Sequence, residues 1–231
     1  MFSSLPRIAR SFAAVVVSSL ALGACADSTS PTLNSGYITS AAAVASPAVL
    51  DGAMFEDFKL LYPKLSTQVP AATTRGDTTI QSFSVTPKTG KLIYFGKKSG
   101  HTIAIPANTL CDPNKNAYGP TEWMKPCILA TSSITFEVRT WNDAKGQPHA
   151  EFSPNIRFNP SAPDPVRLYF ADNDLSDFSR VHIPFCDSSN RCIDESITDS
   201  ELTTHAAPHP KGGYWIYRTL RHFSGYNVTA F

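Results

Sequence analysis

The sequence predicts an all-β chain, an antiparallel β-sandwich of about nine short strands. Three observations carry this expectation. Apolar and polar residues alternate over many short runs, as strands half-buried in a sheet require. The breaks between the runs carry Gly, Pro, Asn and Asp, the residues that turns favour. No long stretch sustains a helical period. Composition agrees, because 18 prolines and 14 phenylalanines in 231 residues favour strands and turns over helices.

The first residues are expected to lie outside that fold. "MFSSLPRIAR" places Arg7 and Arg10 ahead of the uncharged apolar run "SFAAVVVSSLALGA". A basic start and an apolar segment too short for a comfortable membrane span read as an export signal, residues 1–24. "LGAC", Leu22 to Cys25, resembles the bacterial lipobox, where the signal is cut just before a cysteine whose thiol receives diacylglycerol. Gly23 and Ala24 are small, as the peptidase needs, and Cys25 would be the acyl acceptor. The competing reading is an ordinary secretory signal with a chance cysteine at its boundary. Residues 25–46, including "ADSTSPTLNSGYITSAAAVA", are small, polar and nearly charge-free, the composition of a lipidated flexible tether. The chain is therefore expected to be exported and anchored to the cell envelope by its N-terminal lipid. Ala26, and not an aspartate, follows Cys25, which under the enterobacterial sorting rule favours the outer membrane over the inner.

Residues 47–77 read as a linker, with "LDGAMFEDFKLLYPKL" apolar enough for a short helix ended near Pro63. Whether this segment docks on the domain is left open by its pattern. "RGD" at 75–77 matches the integrin-binding tripeptide, but three residues arise by chance too often to carry a function. The sandwich is expected over residues 78–231. "IQSFSV" puts Gln81, Phe83 and Val85 on one face and stops before Pro87. "KLIYF" and "HTIAIP" follow, separated by the turn "GKKSG". "SSITFEVRTW" turns Ile134, Phe136 and Val138 one way and Thr135, Glu137 and Arg139 the other. "AEFSPNIRF", "PVRLYFA", "SRVHIPF", "GYWIYRTL" and "HFSGYNVTAF" complete the set.

The net charge of +1 gives no electrostatic reason to expect nucleic acid as a partner. Loss of residues 1–24 removes two arginines and no acid, leaving 18 basic against 19 acidic side chains. With Cys25 lipidated, Cys111, Cys127, Cys186 and Cys192 remain. An even number in an oxidising compartment implies disulfides. Four cysteines allow three connectivities, of which sequence neighbours, Cys111–Cys127 and Cys186–Cys192, are the simplest. There is no C-x-x-C, and neither pair has histidines at ligand spacing, so no zinc site is expected.

"HTIAIPANTL" resembles the "V-x-I-P-x-x-A-L" core of the ZU-five domain, the β-sandwich of ankyrins and netrin receptors and of bacterial relatives. "SITFEVRT" sits where that family has its next strand, "FSPNIRFNPSAPDPVRLYF" resembles the segment in which a proline-bounded strand precedes "PV-x-L", and "HFSGYNV" resembles the closing strand. These segments follow the family's order from about residue 80 to residue 231. The chain is similar to envelope lipoproteins that join a lipobox, a Ser/Thr/Pro tether and this sandwich. It departs from the eukaryotic pattern in its cysteines and in the insert "CDPNKNAYGPTEWMKPC", so no partner is carried over.

The usual enzyme signatures are missing: no G-x-S-x-G, H-E-x-x-H, G-x-G-x-x-G or P-loop occurs. His205 and His209 are four apart but flank "AAP" in what reads as a proline-bearing loop, not a helical ligand pair. Asp172, Asp174 and Asp177 have carboxylates spaced like the start of a calcium loop. Asp177 replaces its sixth-position glycine and Ile183 its twelfth-position glutamate, so a polar turn is the better reading. "DSSNRCIDES" reads as a solvated hairpin tip closed by a disulfide. No metal and no cofactor are expected.

Two sets of residues remain as candidates. Tyr118 and Trp123, in the insert between Cys111 and Cys127, either contact a ligand such as a glycan or fold back over one end of the sandwich. His222, Phe223 and Ser224 also carry two readings. In some ZU-five domains His-Phe-Ser marks self-cleavage between Phe and Ser. That resemblance would make His222 the base, Ser224 the nucleophile and Phe223–Ser224 the cut bond, with Gly225 relieving the backbone at a turn. Alternatively Phe223 and Tyr226 fill the core while His222 and Ser224 bond at the sheet edge. Packing is preferred, since so terminal a cut would release little. The expected protein is a lipid-anchored envelope module with a non-enzymatic binding or structural role toward another envelope protein or a glycan.

Overall fold

The computed structural model describes residues 48–51, 57–172, 175, 177–187, 189 and 191–230, with Ser99 and Ala230 by backbone alone. Residues 1–46, where the sequence predicts a signal, the lipidated Cys25 and a tether, lie outside the described residues. In chain order the strands are β1 (Val49–Leu50), β2 (Thr67–Gln68), β3 (Ala72–Arg75), β4 (Thr78–Val85), β5 (Lys91–Phe95), β6 (His101–Ile105), β7 (Ile134–Asn142) and β8 (Pro148–Ser153). They continue as β9 (Val166–Asp172), β10 (Val181–His182), β11 (Phe185–Cys186), β12 (Cys192–Ile193), β13 (His205–Pro208), β14 (Tyr214–Leu220), β15 (Gly225–Asn227) and β16 (Thr229–Ala230). One short helix, α1 (Phe58–Leu61), precedes β2.

Two seven-stranded sheets form the sandwich. The first runs β1-β13-β14-β9-β6-β5-β2 and the second β12-β11-β15-β8-β7-β4-β3, with β10 and β16 paired as a separate ribbon. Neighbours are antiparallel except at the margins of the first sheet, where β1 joins β13 and β2 joins β5 in parallel. Each of the nine predicted runs contains strand. "SRVHIPF" is interrupted before Phe185 by Pro184, which has no N–H to offer a ladder. β13 lies in "HAAP", so the segment from His205 is a strand and not the loop its proline suggested. Pro208 is the last residue of β13, where one missing donor is tolerated.

Period two sorts the faces. Gln81, Phe83 and Val85 of β4 and Phe136 and Val138 of β7 are buried, as alternation predicts. Phe83, Val85, Phe136 and Val138 meet Ile93, Phe95, Ile103, Ile105, Leu168, Phe170 and Ile216 of the first sheet in one apolar core. The alternate residues of the first sheet, Leu92, Ala104, Tyr169, Trp215 and Tyr217, form a second apolar cluster on its outer face. Phe58 and Leu65 from the segment before β2 cover that cluster. Phe58 sets its ring edge-on to Tyr169 and Trp215, with centroids 4.7 and 4.8 Å away. Asp57 caps α1 by accepting from the Lys59 amide at 2.8 Å, and the helix stops at Tyr62 because Pro63 follows. Residues 58–77 therefore dock on the sandwich, and β2 and β3 extend one sheet each.

Candidate functional site

On β14 the inward positions are Ile216, Arg218 and Leu220, so the ladder drives an arginine between the sheets, where it is fully buried. A buried charge demands a counter-charge and a full set of acceptors. Arg218 Nη1 donates to the Ile183 carbonyl at 2.6 Å, Nε to the Thr219 carbonyl at 3.0 Å and Nη2 to Glu195 Oε2 at 2.8 Å. Glu195 opens a 3-10 turn, Glu195–Ile197, capped by Asp194, which accepts from the Ser196 amide at 2.9 Å. The second Glu195 oxygen lies 2.9 Å from His222 Nε2. His222 Nδ1 faces two phenols, Tyr118 Oη at 3.2 Å and Tyr226 Oη at 3.3 Å. Each phenol donates to a backbone carbonyl: Tyr118 to Phe223 at 2.8 Å and Tyr226 to His222 at 2.6 Å.

The insert forms a roof over this chain of bonds. Trp123 stacks on the His222 ring at 3.7 Å and 20°, and Phe185 meets that ring edge-on at 4.9 Å. The Cys111–Cys127 disulfide closes the base of the insert. Asn116 donates to the carbonyls of Asp112 and Ile128 at 2.7 and 2.8 Å, and its oxygen accepts from the Ile128 amide at 2.8 Å. The buried Arg157 donates to the carbonyls of Glu122, Lys125 and Pro126, gathering the far end of the loop. Tyr118 and Trp123 thus turn inward, and the covering role is the one their geometry fills.

Electrostatics follow from burial. Burial pushes the Glu195 carboxyl up, but the charges of His222 and Arg218 and their hydrogen bonds outweigh it and hold the group below its ordinary value. The Tyr118 phenol is raised by burial, opposed by the Ser224 side chain, with the charge of Glu195 adding to the rise. Tyr226 is raised by burial and then by Glu195. Both phenols are thereby kept as proton donors at neutral pH, beside an ionised carboxylate. A second acid–histidine contact lies next door, His182 Nδ1 at 3.2 Å from Asp194 Oδ2.

Phe223 occupies the core, stacked on Phe152 at 4.4 Å and edge-on to Phe136 and Phe158 at 4.9 and 4.8 Å. Its amide donates to the Ile156 carbonyl at 2.6 Å, and the Ser224 carbonyl accepts from Phe152 at 3.0 Å. His222 is not at a sheet edge, as expected from sequence, but fully buried, because Glu195 and the two phenols supply its partners. Gly225 sits within β15 and not at a turn. A Cβ there would meet the Cys186 carbonyl oxygen at 2.8 Å, so the glycine lets β15 approach β11.

Of the other sequence candidates, only the cysteines come together. Cys186 and Cys192 form the second disulfide, directly opposite each other on β11 and β12. His205 stacks on Tyr217 while the His209 ring lies against Trp215, each serving a different contact. Asp174 lies outside the described residues, and Asp177 caps the Ser179 amide at 2.9 Å. Arg75, Gly76 and Asp77 are exposed at the β3–β4 connection, where Gly76 takes φ +59°. Among the described residues no group of three or more His, Cys, Asp or Glu side chains could hold a metal ion. None of the described helices is long and apolar enough to cross a membrane.

Sequence reasoning missed Glu195, Arg218 and Arg157. Glu195 belongs to the segment read as a solvated tip, yet it is 5% exposed. The signal was present in "YWIYRTL": an arginine on the face of Ile216 and Leu220 must be buried, and a buried arginine requires a carboxylate. No family model, curated protein or solved structure matches the chain.

Proposed function

We propose that the chain is a lipid-anchored protein of the bacterial cell envelope, held through Cys25, whose ZU-five-like sandwich is a non-enzymatic binding or structural module. The lipobox, the tether and the order of the ZU-five-like segments support this reading. The observation that carries the non-enzymatic part is the closure around His222 and Phe223. The histidine, both phenols and the Phe223 backbone are committed to fixed partners, with a tryptophan stacked on the buried imidazole. Such a segment acts as the keystone where the chain passes from β14 in one sheet to β15 in the other. Metabolic labelling with an alkyne palmitate tests the anchoring. The chain is expected to carry the label and to sediment with membranes, and Cys25→Ala to lose both. An unlabelled wild-type chain would sink the reading.

A second reading, self-cleavage at Phe223–Ser224, is favoured by one contact: the Tyr118 phenol donates to the Phe223 carbonyl, the carbonyl that a serine hydroxyl would attack. In that step Ser224 Oγ adds to the Phe223 carbonyl carbon and gives up its proton towards His222. The peptide C–N bond then breaks, the Ser224 nitrogen takes a proton, and an ester forms. Water opens the ester to a Phe223 carboxylate and a free Ser224 amine and hydroxyl. A chain ending at Phe223, absent from Ser224→Ala, would establish it.

A further inference from the structure

The outer face of the first sheet holds an open cleft of about 540 Å³ that none of the residues around His222 lines. Its floor is built by register. His205 on β13, Tyr217 on β14 and Tyr169 on β9 lie directly opposite one another. Their rings stack in one ladder, His205 on Tyr217 at 5.2 Å and 24° and Tyr217 on Tyr169 at 4.8 Å and 22°. Tyr62, delivered by the end of α1, sets its hydroxyl 2.6 Å from that of Tyr169, and Arg167 Nη1 donates to the same Tyr62 oxygen at 3.4 Å. Asp51, just past β1, lies 3.6 Å from His205 Nδ1. Thr219 and Glu201 also line the cleft.

We infer that this cleft binds a neutral polyhydroxylated ligand, a glycan of the cell surface. Three features select that class. The ladder rings spend their faces on one another, which leaves hydrogen bonding across a rigid floor, and not intercalation of a flat aromatic ligand, as the mode of recognition. Glu201 is ion-paired with Arg221, which leaves one cation, Arg167, against one carboxylate, Asp51, so the cleft offers no net field to an anion or a cation. What it does offer is a guanidinium that only donates, carboxylates that only accept, and hydroxyls that do both. Neighbouring sugar hydroxyls, each a donor and an acceptor, match that set. The volume falls in the range of small-ligand sites, about 300–1,000 Å³. The inference rests on the binding-module reading but not on lipidation, nor on the fate of the bond at Phe223. It moves the glycan contact from Tyr118 and Trp123 to the opposite side of β14.

The full chain in a zwitterionic detergent would be run on native gels cast with laminarin, xylan, dextran or mannan, and pelleted with purified peptidoglycan. Retention by at least one of these glycans, persisting at high salt, is expected. Asp51→Ala and Arg167→Met should each weaken it about tenfold or more, the effect of losing a hydrogen bond to a charged group. Trp123→Phe should leave it unchanged. If Arg167→Met lowers the melting temperature, Asp51→Ala and Thr219→Ala decide. No retention on any of the five glycans would overturn the inference. So would retention surviving the cleft variants, or retention abolished by salt. Palmitate labelling and fragment mass are separate readouts, so failure here leaves the anchored module standing or falling on its own evidence.

Discussion

Tyr217 and Arg218 are neighbours on β14 and face opposite ways, and the two surroundings differ in what they do with polar atoms. Arg218 points inward, to Glu195, His222 and two phenols, where the bonds are short, internal and roofed by Trp123. Tyr217 points outward, into a ladder of rings beside an open cleft lined by Asp51, Arg167 and Glu201. One strand thus carries a network that closes on itself and another that is open to solvent. The contrast teaches that tyrosines beside charges do not by themselves mark a binding site. Closure turns them into architecture, and openness leaves them for a ligand.

The largest effect should come from breaking the closed side. Arg218→Met strips Glu195 of its cation in the interior and is expected to cost about 3–5 kcal/mol in denaturant unfolding. Replacing Glu195 and His222 as well, by Gln and Phe, should recover part of that loss, since the orphaned charge is then gone. If Arg218→Met left the unfolding midpoint unmoved, the inward network would not be structural.

The insert roof comes next. Replacing Cys111 and Cys127 by serine opens a loop with a sequence separation of 16 and should cost roughly 3 kcal/mol. The outward cleft should keep its ligand affinity in that variant. Fluorescence of Trp123 would report the roof coming off His222.

A pH scan separates a third element from both. His101 is half-buried, its Nδ1 accepting from the Ala171 amide at 3.2 Å, and desolvation pushes its pKa down to about 4. The unfolded chain takes up a proton near the ordinary value of 6.5, which the folded chain refuses until about 4. Stability is therefore full above 6.5 and falls as pH drops towards 4, by on the order of 3 kcal/mol. Glu195 adds a loss below its ordinary value of 4.5, because its depressed carboxyl must be protonated there. Urea midpoints measured at steps of pH should show the first loss in wild type and not in His101→Gln.

The smallest changes sharpen the comparison most. Tyr118→Phe removes a donor from the Phe223 carbonyl and should cost about 1 kcal/mol. Thr219→Ala, on the cleft side, should change stability by less than about 0.5 kcal/mol while weakening glycan retention. If the two variants exchanged effects, the roles of the two faces would be reversed.

Much of the fold was legible because period two is a strong signal when one face is buried. Phe136 and Val138 announce their face through the polar residues between them. The same rule makes Arg218 conspicuous. What the sequence did not disclose is pairing across distance. Glu195 is 27 residues from His222, and nothing local distinguishes a carboxylate aimed inward from one in a solvated tip. The margins were equally opaque. β1, β2 and β12 are two residues each, too short for alternation, and exist because a neighbouring strand offers them a ladder. Tyr118 and Trp123 were identified as the insert's important side chains, but the loop that carries them is held by Arg157, which reaches the carbonyls of Glu122, Lys125 and Pro126 from a distant segment.

The most direct test of the central claim, that residues 222–224 are a keystone and not a reaction, is the intact mass of the chain from residue 47 to 231 under denaturing, non-reducing conditions. The expected result is one full-length species, four hydrogens lighter than its sequence because both disulfides are closed. A species ending at Phe223, accompanied by the eight-residue partner Ser224–Phe231, would contradict the account and make the Tyr118 contact part of a cleavage site.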